Sequence, residues 1–200
     1  VEDKKGRLWF GTIDGLVRYD PATQQYREWN NRENKAPVLH YNSIRGLLCD
    51  DDNNIWIATG KGINVYKQAE NKMIFFTEKD SIPEIFYFSA DKDRFGNYWF
   101  GSRDRDGFYY YHPREKVFRS IRHFPGLNEY SGMGGRKLLH DSRGRYWLGF
   151  NGDGLAMYDP NNGKHYRWKA GNDIKKAIAG DIVVDIKEDT PAMPMGGGMP

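Results

Sequence analysis

The stretch DKKGRLWFG, from Asp3 to Gly11, is the first of four similar segments in this chain of 200 residues. Each segment has Asp at its first position, Trp at its seventh and Gly or Ala at its ninth. The other copies are DDDNNIWIA at Asp50–Ala58, DRFGNYWFG at Asp93–Gly101 and DSRGRYWLG at Asp141–Gly149. Successive tryptophans are 47, 43 and 48 residues apart, a period typical of β-propeller blades and longer than that of leucine-rich or ankyrin repeats.

The Asp-x-x-Gly tetrad predicts a hairpin turn, because Asp bonds turn backbone and Gly adopts the positive φ that other residues resist. The second copy has Asn53 in place of Gly, and Asn tolerates that conformation best among the remaining residues. The strand that follows is apolar on both faces, as expected between two neighbouring sheets. The small residue after it allows another backbone or side chain to approach closely.

Four strands are predicted for each blade, named A to D in chain order, with A leading into B through the Asp-x-x-Gly turn. Strand C ends in Tyr, and a polar turn separates it from the edge strand D. Strands D are predicted at Tyr26 to Trp29, Met73 to Phe76, Val117 to Ile121 and Tyr166 to Trp168. Strands A are predicted at Ile44 to Cys49, Ile85 to Ser89, Lys137 to His140 and Ile182 to Ile186.

The predicted fold is therefore all-β, with propeller blades of four antiparallel strands over residues 1–190 and a poorly ordered Met/Pro/Gly-rich tail at 191–200. A single blade cannot bury both of its faces, so like blades are expected to stabilise each other. The recurrent tryptophans Trp9, Trp56, Trp99 and Trp147 are interpreted as packing residues. The chain opens within a repeat, which favours a piece of a longer protein.

Composition excludes several classes of protein. The chain contains no run of 18 or more apolar residues, so no membrane span is predicted. The net charge of +3 comes from interleaved acids and bases. No nucleic-acid partner is predicted, because such proteins gather their basic residues on one face. The single cysteine, Cys49, excludes an intrachain disulfide and is interpreted as a small buried hydrophobe. Neither a metal site nor a cofactor is predicted, because the five histidines lack ligand spacing.

The pattern from Asp3 to Pro21, DKKGRLWFGTIDGLVRYDP, closely resembles the two-component regulator propeller repeat, and the resemblance extends over nearly the whole chain. It implies a seven-bladed ring in the periplasmic sensor of a hybrid two-component protein from a Bacteroides-like bacterium. In that family such sensors respond to glycan breakdown products. The resemblance further implies an oligosaccharide or other small ligand, contact with the rest of the parent sensor chain, and a homodimer in the parent protein. No kinase or regulator motif is visible, so the chain is expected to be part of the ectodomain.

Blade geometry separates the loops into two sets. The A–B and C–D turns lie on one face, and the B–C loops and D-to-A crossovers lie on the other. The second set varies in length and chemistry, as a binding surface on a constant scaffold requires. It comprises Asn30 to Asn42, Thr77 to Glu84, Ser102 to Asp106, Arg122 to Arg136, Phe150 to Asp153 and Lys169 to Asp181.

Six residues of this variable face are candidate ligand contacts. The guanidinium fork of Arg suits the carboxylate or sulfate of an acidic sugar, and a Tyr ring suits a sugar face. The candidates are Arg103, Arg105, Tyr130 and Arg136, with Tyr41 and Asn42 behind them. Each could instead be a solvated loop residue, and Arg103 and Arg105 could pair with Asp104 and Asp106.

No catalytic residue is predicted, because the chain has no nucleophile elbow, phosphate-binding loop or partnered acid pair. The fold alone does not decide function. Three alternatives therefore remain open: a ligand sensor, a glycan-active enzyme and a protein-binding module.

Overall fold

Four antiparallel sheets form the computed structural model, which describes residues 1–32, 36–103 and 106–168. Strands that are adjacent in the chain are adjacent in each sheet. Blade 1 contains β1 (Leu8–Gly11), β2 (Leu16–Asp20) and β3 (Gln25–Trp29); blade 2 contains β4 (Ile44–Cys49), β5 (Ile55–Thr59), β6 (Gly62–Lys67) and β7 (Lys72–Phe76); blade 3 contains β8 (Asp91–Lys92), β9 (Tyr98–Gly101), β10 (Phe108–His112) and β11 (Val117–Ser120); blade 4 contains β12 (Gly135–His140), β13 (Tyr146–Phe150), β14 (Leu155–Asp159) and β15 (Lys164–Trp168). Short 3-10 helices lie in the crossovers at Glu78–Asp80, Ile121–His123 and Asn128–Tyr130.

The repeat Asp is the buried centre of each A–B turn. In blade 3, Asp93 Oδ1 accepts the backbone N–H groups of Phe95 and Asn97, each at 2.9 Å. Its Oδ2 accepts Asn97 Nδ2 at 2.8 Å and the indole Nε1–H of Trp99 at 2.9 Å. The same Asp-to-indole bond recurs in the other blades, at Asp3–Trp9, Asp50–Trp56 and Asp141–Trp147. One carboxylate therefore organises the turn and fixes the ring that packs against the next blade.

The fourth turn position has the predicted left-handed backbone in every repeat. Gly6, Gly96 and Gly144 have φ of 73°, 88° and 81°, and Asn53 has φ of 64°. The predicted hairpin and the interpretation of the Asn substitution are both confirmed.

Three of the four recurrent tryptophans pack between described blades, as predicted, whereas Trp147 stacks on Trp168 of its own blade. Trp9 lies 5.7 Å from Tyr66, measured between ring centroids, and Trp56 lies 5.1 Å from Tyr98. Trp99 makes the equivalent contact with Tyr146 at 6.2 Å. These rings belong to three apolar clusters, one between each pair of successive blades. Burial of aromatic surface between blades is therefore the main source of stability.

Small residues at the end of strand B let the blades approach closely, as expected. A Cβ on Gly101 would lie 2.8 Å from the carbonyl oxygen of Gly135, and a Cβ on Gly11 would lie 2.3 Å from Ile44 Cγ2. Both distances are far below normal contact, so only glycine fits at these two positions.

The predicted third strand A, Ile85 to Ser89, is wrong. The strand is β8 (Asp91–Lys92), preceded by a single bridge between Tyr87 and Ser102. The segment before β8 bonds to two blades in turn, because Tyr87 N donates to Thr59 O and Phe88 N donates to Gly101 O. A continuous ladder on one sheet is therefore impossible there.

Other boundaries differ by small amounts. Strand β12 begins at Gly135 instead of Lys137, and β11 ends at Ser120 because Ile121 opens a 3-10 helix. The predicted strand at Ile182 to Ile186 and the tail at 191–200 lie outside the described residues. Within the described part of the chain, no helix is long and apolar enough to cross a membrane.

Candidate ligand-binding site

The crossovers and B–C loops are joined on one face of the blades by backbone hydrogen bonds. Ile44 N donates to Thr12 O at 2.8 Å, and Asn151 N donates to Gly134 O at 2.7 Å. On the opposite face the turns are joined to one another, with Lys4 N donating to Asn53 Oδ1 at 2.8 Å. The two sets of loops are therefore separated as the strand order predicts.

A cavity of about 650 Å³ lies among the innermost strands of blades 2, 3 and 4. Its volume falls in the usual range for small-molecule sites. The lining residues come from β4, from the segment before β8 and from β12: Arg45, Gly46, Leu47, Phe86, Phe88, Ser89, Ala90, Arg136 and Lys137. The inner strands converge here, since a Cβ on Gly46 would lie 2.5 Å from Ala90 N.

The two arginines occupy equivalent bulges. Between Ile44 and Gly46 the register of β4 shifts by one residue against β5, which makes Arg45 the extra residue. The same shift occurs in β12 between Gly135 and Lys137, around Arg136. A bulge re-aims the side chain of its extra residue. This irregularity brings both arginines into the lining of the cavity.

Aromatic rings hold the guanidinium groups. Arg136 Cζ lies 3.8 Å from the centroid of the Phe88 ring, and Arg45 Cζ lies 5.4 Å from that of Phe86. The two phenylalanine rings lie 4.7 Å apart at an angle of 53°. A continuous series of ring contacts, here named the Arg–Phe stack, therefore runs from Arg45 through Phe86 and Phe88 to Arg136. Stacking on a ring orients a guanidinium plane and leaves its N–H edge available.

The charge of this stack is positive and uncompensated. Among the described residues, neither Arg45 nor Arg136 forms a salt bridge, and Arg136 donates only to the neutral Asn151 Oδ1, at 3.3 Å. Its Nε is buried without a hydrogen-bond partner in that same part of the chain. Burial lowers the pKa of Arg136 from its ordinary value, and the nearby positive charge of Arg45 lowers it further. Anionic groups bound to the two guanidiniums would offset both effects.

Lys137 is already paired. Its Nζ lies 2.5 Å from Asp91 Oδ1, and the Asp91 side chain is only 10% exposed. The two charges cancel, so Arg45 and Arg136 are left as the net charge of the cavity.

Three of the six predicted residues lie at or beside this cavity. Arg136 lines it, although from strand β12 and not from a loop. The exposed Tyr41 lies next to the Phe86 ring, because a Cβ on Gly60 would lie 2.8 Å from Tyr41 Cε1 and 3.6 Å from Phe86 Cε2. The exposed Arg103 is close by, since its backbone N donates to Phe86 O at 3.0 Å.

The other predicted residues are placed differently. Tyr130 is fully buried in the core between blades 3 and 4, and its hydroxyl lies 2.9 Å from His165 Nδ1. It therefore packs the core and is not free to stack on a ligand. Asn42 Oδ1 accepts the backbone N–H of Asn31 at 2.9 Å, which fixes the crossover. Arg105 lies outside the described residues.

Sequence reasoning missed Arg45, Phe86 and Phe88. A signal for two of them exists, because Arg45, Phe88 and Arg136 each precede the repeat Asp of their blade by five residues. Aligning the strands A on that Asp would have grouped them. Phe86 has no such signal, because its position follows from the irregular segment before β8.

Chemically, the described lining of the cavity is suited to binding, and its one lysine, Lys137, is paired with Asp91. None of its lining residues is Asp, Glu or His. Within the described part of the chain, no group of three or more His, Cys, Asp or Glu side chains could hold a metal ion. The arrangement suits recognition of an anion that carries a flat, weakly polar face.

Comparison with solved structures identifies the class of fold. The extracellular domain of a hybrid two-component system from B. thetaiotaomicron superposes with a TM-score of 0.63 at 20% identity, over 82% of this chain and 22% of that one. Virginiamycin B lyase from Staphylococcus aureus superposes with a TM-score of 0.61 at 12% identity, over 86% of this chain and 55% of that one. The chain is a set of β-propeller blades, a fold that sensors and enzymes share.

Sequence comparison is more specific. Residues 39–61 match the family model described as two-component regulator propeller, which confirms the predicted resemblance in a segment that includes Arg45. The chain is also 28% identical over 86 residues to histidine kinase P4 of Formosa agariphila, covering 42% of this chain and 6% of that protein. The chain thus spans a small part of the relatives it matches.

Proposed function

We propose that these blades are part of the periplasmic sensor of a hybrid two-component protein and that they bind an oligosaccharide. The observation that carries the proposal is the cavity among the innermost strands, which has aromatic and cationic walls and, among its described lining residues, no Asp, Glu or His. The regulator propeller match and the likeness to an extracellular domain support a sensory role.

The proposed sensor acts through its parent chain. Ligand binding among the inner strands of three blades would alter how those blades pack, and an altered packing can be passed to contacts with the rest of the parent sensor and its second subunit. A homodimer in the parent is part of this proposal. Enzymatic turnover is not, because none of the described lining residues is Asp, Glu or His, the side chains that most often exchange protons with a sugar.

A glycan panel tests the proposal on the full-length protein. Binding is measured by calorimetry, and turnover is measured by the release of new reducing ends or unsaturated products. Saturable binding without turnover is expected. Turnover would support a glycan-active enzyme, and the absence of any binding would support a protein-binding module.

A further inference from the structure

The Arg–Phe stack carries positive charge that no described carboxylate neutralises. An arginine that only fills space between blades is normally neutralised by a neighbouring carboxylate when it is buried. Arg7 and Arg145 show that arrangement here, since each pairs with the repeat Asp of its own blade. The half-buried Arg136 has no such carboxylate among the described residues, since Asp91 on the neighbouring strand pairs with Lys137. The exposed Arg45 has none in that part of the chain either.

The two arginines are also held in place before any ligand arrives. Each guanidinium is stacked on a phenylalanine, at 5.4 Å for Arg45 and 3.8 Å for Arg136. Both side chains come from bulges at the same repeat position, so they enter the cavity from two different blades. A pair of fixed forks from two sides is the arrangement that recognises a carboxylate or sulfate.

We propose that this cavity is the site for an acidic sugar, with carboxylate or sulfate groups held by Arg45 and Arg136 and its ring face against Phe86 and Tyr41. The proposal rests on the oligosaccharide-binding function proposed above and specifies its ligand class. Phe86 and Tyr41 supply the apolar surface on which the C–H face of a sugar packs. Arg103, at the edge of the cavity, would contact a second acid group of a longer ligand.

The test uses calorimetry on the full-length protein with matched ligands. The probes are tri-galacturonic acid, the same trisaccharide with its carboxyl groups reduced, a sulfated glucosamine–uronic acid disaccharide, and its desulfated form. We expect binding to at least one acidic probe, with affinity at least tenfold lower for its carboxyl-reduced or desulfated counterpart. The carboxyl-reduced and desulfated arms identify which acid group the arginines recognise.

Variants locate the site. Arg45→Gln and Arg136→Gln should each weaken the acidic probe by about tenfold or more, as expected for loss of a charge-assisted hydrogen bond. Arg45→Lys and Arg136→Lys keep the positive charge but lose the planar guanidinium fork, so their losses of affinity should be intermediate. The control is Arg114→Gln, an exposed arginine in the C–D turn of blade 3 on the opposite face, which should leave affinity unchanged. Because Arg45 is exposed, its variants should also keep the melting temperature.

The outcomes separate the two proposals. Equal binding of acidic and neutral probes, or full affinity in both glutamine variants, would overturn the acidic-sugar site and leave oligosaccharide sensing intact. Failure of every probe to bind would overturn both. Acid-dependent binding that Arg45→Gln and Arg136→Gln weaken, and that Arg114→Gln does not, would establish the site.

Discussion

The Asp–indole hydrogen bond is the residue-scale feature that links the turn to the core. Trp99 Nε1 donates to the buried Asp93 at 2.9 Å, whereas Trp29 is equally buried and its Nε1 has no partner among the described residues. Trp99→Phe should therefore destabilise the protein by about 1–3 kcal/mol more than Trp29→Phe, because only the first leaves a carboxylate short of a donor. Denaturant unfolding of the two variants measures the difference, and equal losses would contradict the role of the bond.

The same hydrogen bonds predict a loss of stability in acid. Burial alone would raise the pKa of Asp3, but donors from Trp9, Arg7 and two backbone N–H groups outweigh it and lower the pKa to about 2. A carboxylate with a depressed folded-state pKa stabilises the fold fully above its unfolded pKa of about 4, and the contribution is lost as the pH falls towards 2. It amounts to about 2 kcal/mol.

Melting temperatures of the wild type and Asp3→Asn between pH 5 and pH 2 measure this contribution. The wild type should lose stability faster than the variant across the window from about 4 to about 2. Parallel curves would show that Asp3 does not titrate in that way.

At the scale of the element, the A–B turn depends on its left-handed fourth residue. Gly96 has φ of 88° with open space around its α-carbon, and the equivalent Asn53 has φ of 64°. Gly96→Val should therefore cost about 1–3 kcal/mol through backbone strain alone. Gly96→Asn introduces the residue that blade 2 has at this position, and it should lower the free energy of unfolding by clearly less. Thermal unfolding compares the two, and similar losses would mean that the strain is not the cause.

Neighbouring blades are spaced by glycine at the end of strand B. Gly101→Ala would place a methyl group 2.8 Å from the carbonyl oxygen of Gly135, and rigid backbone cannot yield to it. Overpacking of this kind costs about 1–3 kcal/mol. Gly134→Ala is the matched control, because its methyl group would meet only ordinary contacts at 3.5 Å or more. If both alanines had the same effect on unfolding, close approach at Gly101 would not matter.

Much of the fold could be predicted because it depends on the spacing of residues that are close together in the sequence. The Asp, Gly and Trp positions determine turns and packing within nine residues, so each repeat carries its own signal. The inner strand of blade 3 could not be predicted, since its path depends on hydrogen bonds to two blades. The buried position of Tyr130 could not be predicted either, because the 3-10 helix at Asn128–Tyr130 turns this side chain into the core.

The candidate site is a property of the whole molecule. Arg45, Phe88 and Arg136 are more than 40 residues apart in sequence and meet only because three blades converge. Loop chemistry predicted arginine and tyrosine as ligand contacts, and Arg136 lines the cavity. The cavity itself depends on the convergence of the inner strands. The bulges at Arg45 and Arg136 cannot be recognised from the apolar pattern of strands β4 and β12.

A crystal structure of the full-length protein with a bound acidic oligosaccharide tests the central claim most directly. We predict that a carboxylate or sulfate lies within hydrogen-bond distance of Arg45 or Arg136, with the sugar ring against Phe86. A ligand on the face of the A–B and C–D turns, or an acid group remote from both arginines, would contradict it.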